Sequence, residues 1–443
     1  MADIVIDGTT GANRLLILDS TGKIPAVDGS QITAIAAGSI ATGTIPIARI
    51  DTGSTANKIV VLDGSGRLPA VSAALITNIP GATKSASDPV IATNPSGGTG
   101  TEWHNTTSGE VYICTDATAG ANVWTNVGPG SGDIIPYNVQ GEIAGYVHGG
   151  LQTGVPNGAT VDTIDRVSFT SDGNATDVAN LYERLGYSAG VSSETYGYTC
   201  GGITYPAPTE HNRINKFQFG TTNNSTDIAD LQSTKQQVSG TMNQTHGYVH
   251  GGYDSNVGMT NVIDKLTFST EANATDHGDL SFSRSGLTSN SSSTHGYACG
   301  GGYAGPPRTD VIDKYAFTSN TTATDVGNLT TARGMWSAGT MSATYGYAHG
   351  GDTPYQNTID RFSFSSDGNA ADWADLSYTW AYMSGTSSTT YGYCAGGYTS
   401  GGTPGPNSGY TNYIEKYPYA TQTNASDVGD ITTMRYGCSG THY

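Results

Sequence analysis

Six residues stand immediately ahead of a double glycine at regular intervals: His148, Cys200, His250, Cys299, His349 and Ala395. Imidazole and thiolate both bind zinc and copper, so an alternating His/Cys series raises the question of a metal site. The spacing argues against one. Each residue lies two positions after a tyrosine, which puts both on one face of a strand. Positions that recur once per repeat are also far apart in space unless they line a common axis. The expectation is packing between neighbouring repeats, with no metal and no cofactor. Asp177, Asp227, Asp276, Asp325 and Asp427 recur in register, as turn formers do, and not as a carboxylate pair for acid–base work. His211, His277 and His442 are scattered. The sequence carries no Ser/His/Asp constellation, phosphate-binding loop or dinucleotide glycine motif, and no catalytic residue is expected.

The elements that position these residues form a repeat. The string Gly-Tyr-x-x-Gly-Gly starts at Gly145, Gly197, Gly247, Gly296, Gly346 and Gly392, at spacings of 52, 50, 49, 50 and 46 residues. After a variable loop, each unit continues with an alternating stretch such as Ile-Asp-Arg-Val-Ser-Phe from Ile164 or Ile-Asp-Lys-Leu-Thr-Phe from Ile263. Period-2 alternation predicts a strand. A turn follows, as at Asn273-Ala274-Thr275-Asp276, then a leucine, a basic residue and a Ser/Gly/Thr-rich stretch leading to the next Gly-Tyr. Each unit thus holds about four short strands. One such sheet cannot bury both faces alone, so units must stack. The first unit lacks the strand that precedes Gly-Tyr elsewhere, and the last leaves one over at Met434–Thr441. Pairing the two removes both free edges.

The segment Arg284-Ser285-Gly286-Leu287 followed by Gly296-Tyr297-Ala298-Cys299-Gly300-Gly301 resembles the kelch repeat, whose period is about 50 residues. The resemblance implies an all-β fold, a six-bladed kelch-like β-propeller over residues 131–443. The fourth strand departs from the family: kelch usually carries a Trp where this chain has Ala323-Thr324-Asp325. In kelch propellers that bind a peptide or acidic ligand, residues opening the innermost strands reach the channel mouth. Here the residues at that position are Arg184, Lys235, Arg284, Arg333, Trp380 and Arg435. The alternative is that each basic side chain bonds carbonyls of its own blade. The kelch-like galactose oxidases imply a second possibility, a copper enzyme of carbohydrates with two tyrosines and two histidines converging on the axis. Against it, the tyrosines recur once per unit. The loops after the double glycines hold Tyr205, Tyr253, Tyr303, Tyr355, Tyr398 and Tyr410 among Ser, Gly and Asn. That composition suits adaptable recognition, including stacking on sugars.

Residues 12–35 and 56–79 form a second repeat, each copy an apolar run, an Asp-x-x-Gly turn and a Lys/Arg-aliphatic-Pro string, as in Leu18-Asp19-Ser20-Thr21-Gly22-Lys23-Ile24-Pro25. This pattern resembles shaft and attachment segments of bacteriophage tail fibres. It implies that residues 1–82 attach to other virion or tail proteins and form a homotrimer. The distal part would then bind a host-surface receptor, a carbohydrate by the loop composition. A virion decoration protein and a flexible linker are the alternatives for this part. Residues 83–130 carry Trp103, Tyr112 and Trp124 and predict a small β-module whose aromatics form its core.

Composition sets the outer limits. Gly numbers 61, only 13% of residues are charged, and the net charge is −18. Neither nucleic acid nor an anionic membrane is an expected partner. Five widely spaced cysteines fit no disulfide framework or CxxC metal site. Neither a secretory signal nor a membrane-spanning run is recognisable. The sequons at Asn174, Asn243, Asn273, Asn320 and Asn424 sit mostly at one repeated turn, which turn chemistry explains better than glycosylation.

Overall fold

The computed structural model describes residues 82–127, 134, 137–152, 158–302, 308–334, 339–399 and 409–443. The fibre-like repeat and Tyr303 lie outside these. The described residues are all β, with no helix. They fall into two compact units, one made of residues up to Gly120 and Trp124–Asp133, the other chiefly Ile134–Tyr443.

The small unit is a four-stranded sheet ordered Thr83–Ser85, Glu102–Asn105, Val111–Asp116 and Val123–Asn126. Its first pair is parallel and its second antiparallel. Tyr112 and Trp124 are wholly buried, and Trp103 meets Trp124 edge-to-face at 5.8 Å. These aromatics are the core of the module, as a unit this small requires.

The large unit contains six four-stranded antiparallel sheets. Sheet one runs Ser439–His442, Ala144–His148, Thr163–Ser168, Thr176–Asn180; sheet two runs Ala189–Ser192, Tyr196–Cys200, Arg213–Gln218, Thr226–Asp230. Sheet three is Ser239–Met242, His246–His250, Val262–Thr267, Thr275–Asp279; sheet four is Thr288–Ser291, His295–Cys299, Val311–Ala316, Thr324–Asn328. Sheet five is Thr340–Met341, Tyr345–His349, Thr358–Ser363, Ala371–Asp375; sheet six is Ser384–Ser387, Tyr391–Ala395, Tyr413–Pro418, Ser426–Asp430. Sheet one draws its first strand from the C-terminus, with Ser439 opposite His148 and His442 opposite Gly145. The leftover strand read from the sequence therefore does pair with the first unit.

Each sheet is buried on both faces, because its neighbours cover them. In the third strands Ile and the following Asp, Asn or Glu are both inaccessible, on opposite faces. Three sets of contacts run from each sheet to the next, and all three return from sheet six to sheet one. The tyrosine of every Gly-Tyr string stacks on an aromatic of the following sheet: Tyr146 on Phe219, Tyr198 on Phe268, Tyr248 on Phe317, Tyr297 on Phe364, Tyr347 on Tyr419, and Tyr393 on Phe169. Centroids are 4.7–5.0 Å apart, and stacking of this kind is worth about 0.5–1.5 kcal/mol beyond area burial. The first strands lie side by side in the same order. At the periphery, the residue after each turn asparagine or threonine donates its N–H to the preceding sheet's fourth strand, as Ala274 does to Asp230 and Ala175 to Asp430, both at 2.8 Å. The sequon asparagines reinforce this latch: Asn174, Asn273 and Asn424 accept from the N–H groups of Asp430, Asp230 and Asp375.

The sheets also alternate. Sheets one, three and five carry the histidines ahead of the double glycines. Sheets two, four and six send Lys216, Lys314 and Lys416 to Glu271, Asp367 and Asp172 of the following sheet, at 2.6, 2.8 and 2.5 Å. These bridges are partly exposed and individually weak. They recur in every second sheet.

Candidate functional site

Five of the six residues read as opening the innermost strands are buried. Lys235, Arg284, Arg333 and Arg435 are at most 1% exposed. Each is paired with a buried acid on the third strand of its own sheet: Asp264 at 2.5 Å, and Asp313, Asp360 and Asp165 at 2.9 Å. Arg284 and Arg435 also donate to the carbonyls of Ala298 and Val147. A register shift sits beside the acid in these sheets, the kind of irregularity that re-aims a side chain. Trp380 is wholly buried opposite Glu415, whose carboxyl is pushed up by burial while Ser377 N–H donates to it at 3.0 Å. Arg184 is exposed, and the equivalent place belongs to Leu185, whose carbonyl accepts from Gly150 as that of Lys235 does from Gly202. Opposite Leu185 the acid has become Asn215, also inaccessible. Where the cation is lost, the carboxylate is neutralised or held by hydroxyl and amide donors. Lys235, Arg284, Arg333 and Arg435 form a structural clamp, and the assignment of these four and of the buried Trp380 to binding is corrected on that ground.

The His/Cys series packs between sheets. His148, His250 and His349 meet Phe217, Tyr315 and Tyr417 of the next sheet at 5.5–6.0 Å. Cys200 clusters with Leu266, Cys299 with Phe362, and Ala395 with Val167. Among the described residues, no group of three or more His, Cys, Asp or Glu is placed to hold a metal ion.

Burial lowers the three imidazoles to about 3, helped by Arg435 beside His148, by Arg284 and Lys235 beside His250, and by Arg333 beside His349. His442 is lowered to about 4 by burial, against a hydrogen bond to the Val139 carbonyl. Below the ordinary value of 6.5 the unfolded chain takes up these protons and the folded chain does not, so stability is full above that pH and falls as pH drops toward 3. Denaturant titrations at pH 7, 6 and 5 are expected to lose stability on acidification, with these four imidazoles together contributing up to four of the protons taken up on unfolding. His250→Phe is expected to lower that uptake by about one, since each imidazole contributes a single proton. An uptake unchanged in that variant would contradict the assignment.

The first strands meet along a shared axis so closely that a Cβ on Gly190 would collide with the carbonyl of Gly440, and one on Gly240 would lie 2.6 Å from that of Gly190. At one end of the axis the chain itself crosses. Gln140 Nε2 donates to Met341 O at 3.0 Å, and His442 Nε2 to Val139 O at 2.5 Å. At the other end a hydrogen-bonded string of backbone links consecutive sheets: Gly437 N–H to Tyr382 O, Tyr187 to Gly437, Gln237 to Tyr187, and Gly286 to Gln237.

Around that string the structure gathers tyrosines. Tyr436 meets Tyr410 at 4.9 Å, Tyr382 at 5.8 Å and Tyr187 at 6.0 Å; Tyr410 meets Tyr398 at 5.2 Å, and Tyr398 meets Tyr355 at 5.8 Å. Every ring in the group is half-buried. Tyr205 is close enough to raise both Tyr187 and Tyr436. Tyr382 Oη donates to Asp352 at 2.9 Å, and Asp352 pairs with Arg308 at 2.9 Å. Burial, then neighbouring phenols, raise Tyr187 well above its usual value; burial and Asp352 raise Tyr382. Of the loop tyrosines expected to act, Tyr205, Tyr355, Tyr398 and Tyr410 come together here. Tyr253 is hydrogen-bonded through its backbone to Gln236. Sequence reasoning missed Tyr187, Tyr382 and Tyr436, which follow the clamp position by one or two residues. The available signal was that other copies place Gly286 or Gln237 where Tyr187 and Tyr382 stand.

No protein-family model matches this chain, and neither does any curated protein sequence.

Proposed function

We propose that the six sheets are the blades of a kelch-like β-propeller, and that the chain is a bacteriophage virion protein, a tail fibre or receptor-binding protein. Residues 1–82 attach to other tail proteins and trimerise, and the propeller binds a receptor on the host surface. The observation that carries this reading is the polarity of the large unit. The chain enters it at one end of the axis, through residues 137–141, and the tyrosine cluster occupies the other end. A module held at one end and offering aromatic loops at the other suits presentation to a surface.

The test is competition. Purified full-length chain, added in excess to host cells, is expected to block adsorption of the phage that carries it, and an antibody against the chain is expected to label the virion tail. Labelled virions whose adsorption is unchanged by saturating chain would make the protein a decoration without a receptor role.

A further inference from the structure

We propose that the tyrosine cluster formed by Tyr187, Tyr382, Tyr436, Tyr410, Tyr398 and Tyr355 is a carbohydrate site selective for uncharged glycans; its place in host recognition rests on the receptor-binding reading above. The first argument compares copies within the chain. One backbone position recurs beside the axis with φ near +60°: Tyr187 at 54°, Gln237 at 58°, Gly286 at 60°, Tyr382 at 61° and Gly437 at 63°. A side chain there is unfavourable by about 1–2 kcal/mol, and the chain itself places glycine in two of the five. Tyrosine in two others is therefore kept against the preference of the backbone. Both of those rings enter the cluster. Strain of this kind collects at functional sites.

The second argument is chemical. Half-buried phenol rings offer π-faces that suit the C–H face of a pyranose and hydroxyls that suit its equatorial oxygens, at low entropic cost because each ring has only two torsions. Charge narrows the ligand. Among the described residues the cation of the cluster, Arg308, is held by Asp352, and Glu210 lies beside Tyr205. Burial keeps Tyr355 protonated up to about 12. An anionic sugar would meet the carboxylates of Asp352 and Glu210 in a chain of net charge −18, whereas a neutral hexose incurs no such repulsion.

The experiment uses the full chain against immobilised oligosaccharides ending in galactose, glucose or N-acetylglucosamine, alongside sialylated and phosphorylated counterparts. Binding to at least one neutral glycan is expected, with affinity about tenfold lower or worse in Tyr436→Ala and Tyr398→Ala and retained within about twofold in Tyr182→Ala, an exposed ring not among the cluster tyrosines, the usual contrast between central and peripheral aromatics. Tyr436→Phe keeps the ring and is expected to retain most binding, which separates loss of contact from loss of fold; melting temperatures of all variants are compared. Preference for the anionic glycans, no binding to any neutral one, or binding indifferent to the cluster variants would overturn the site. Chain that blocks phage adsorption without cluster-dependent glycan binding would sink this inference and leave the receptor reading intact. Cluster-dependent glycan binding without any block of adsorption would do the reverse.

Discussion

Removal of Ser439–Tyr443 is expected to abolish the cooperative unfolding transition of the large unit. The five residues supply the first strand of sheet one, paired along Ala144–His148 from Ser439 to His442. They also close the axis, where Gly440 packs against Gly385 and Gly190. The Tyr443 carbonyl accepts from Glu142, Ile143 and Ala144, and its ring stacks on Phe219 at 5.3 Å. Without them sheet one becomes a three-stranded sheet with a bare inner edge, and sheets two and six lose the surface that joins their first strands. The total stability of a folded protein is about 5–15 kcal/mol, and removing a whole strand with its hydrogen bonds and buried faces takes a loss of that order. Near-UV circular dichroism on heating should show a broad, early loss of signal, with oligomers forming through the free edge. A synthetic peptide of residues 434–443 added in trans is expected to restore part of the transition. A truncated chain that melts cooperatively within a few degrees of the full one would mean that closure by the C-terminus is dispensable.

The tandem units, their strands and the seam were legible in the sequence because they rest on repetition and period, both properties of a single chain. Gly-Tyr-x-x-Gly-Gly recurs because its tyrosine must stack and its first glycine has no room for a Cβ, which at Gly145 would collide with Thr386 Oγ1. Its double glycine takes positive φ, as Gly149 and Gly150 do at 64° and 110°. The clamp was misread for a physical reason. A basic side chain looks like a surface group, and only the register shows Asp165, Asp264, Asp313 and Asp360 buried beside these cations. Arg184 entered the series by residue type, one position ahead of the true place at Leu185. The tyrosine cluster was half legible. Loop tyrosines stand out by composition, but Tyr187, Tyr382 and Tyr436 come from three different sheets, and only the circuit of sheets brings them into contact.

The second large effect concerns the clamp, and the chain contains its own control. Arg333 and Asp360 are wholly inaccessible, joined at 2.9 Å, and Asp360 accepts further bonds from Thr330 N–H and Oγ1. Truncating one partner leaves the other charge in a medium that cannot solvate it, a loss of about 3–5 kcal/mol. Arg333→Leu and Asp360→Asn are each expected to destabilise by about that amount. Together they recreate the Leu185–Asn215 pair of sheet two, which has no charge to strand. The double variant is expected to recover at least half of the summed loss, with a coupling of about 2–3 kcal/mol in denaturant unfolding, the range for groups in direct contact. Recovery should stop short of complete, because Gln356 Oε1 loses the Arg333 donor at 2.9 Å. Single variants that each cost under about 1 kcal/mol would assign the pair to the weak class of exposed bridges. Strict additivity in the double would show that the two side chains do not sense each other. Either result would break the explanation of why Arg and Lys recur opposite Asp, and why Asn215 takes the place of the acid in sheet two, where Leu185 takes that of the cation.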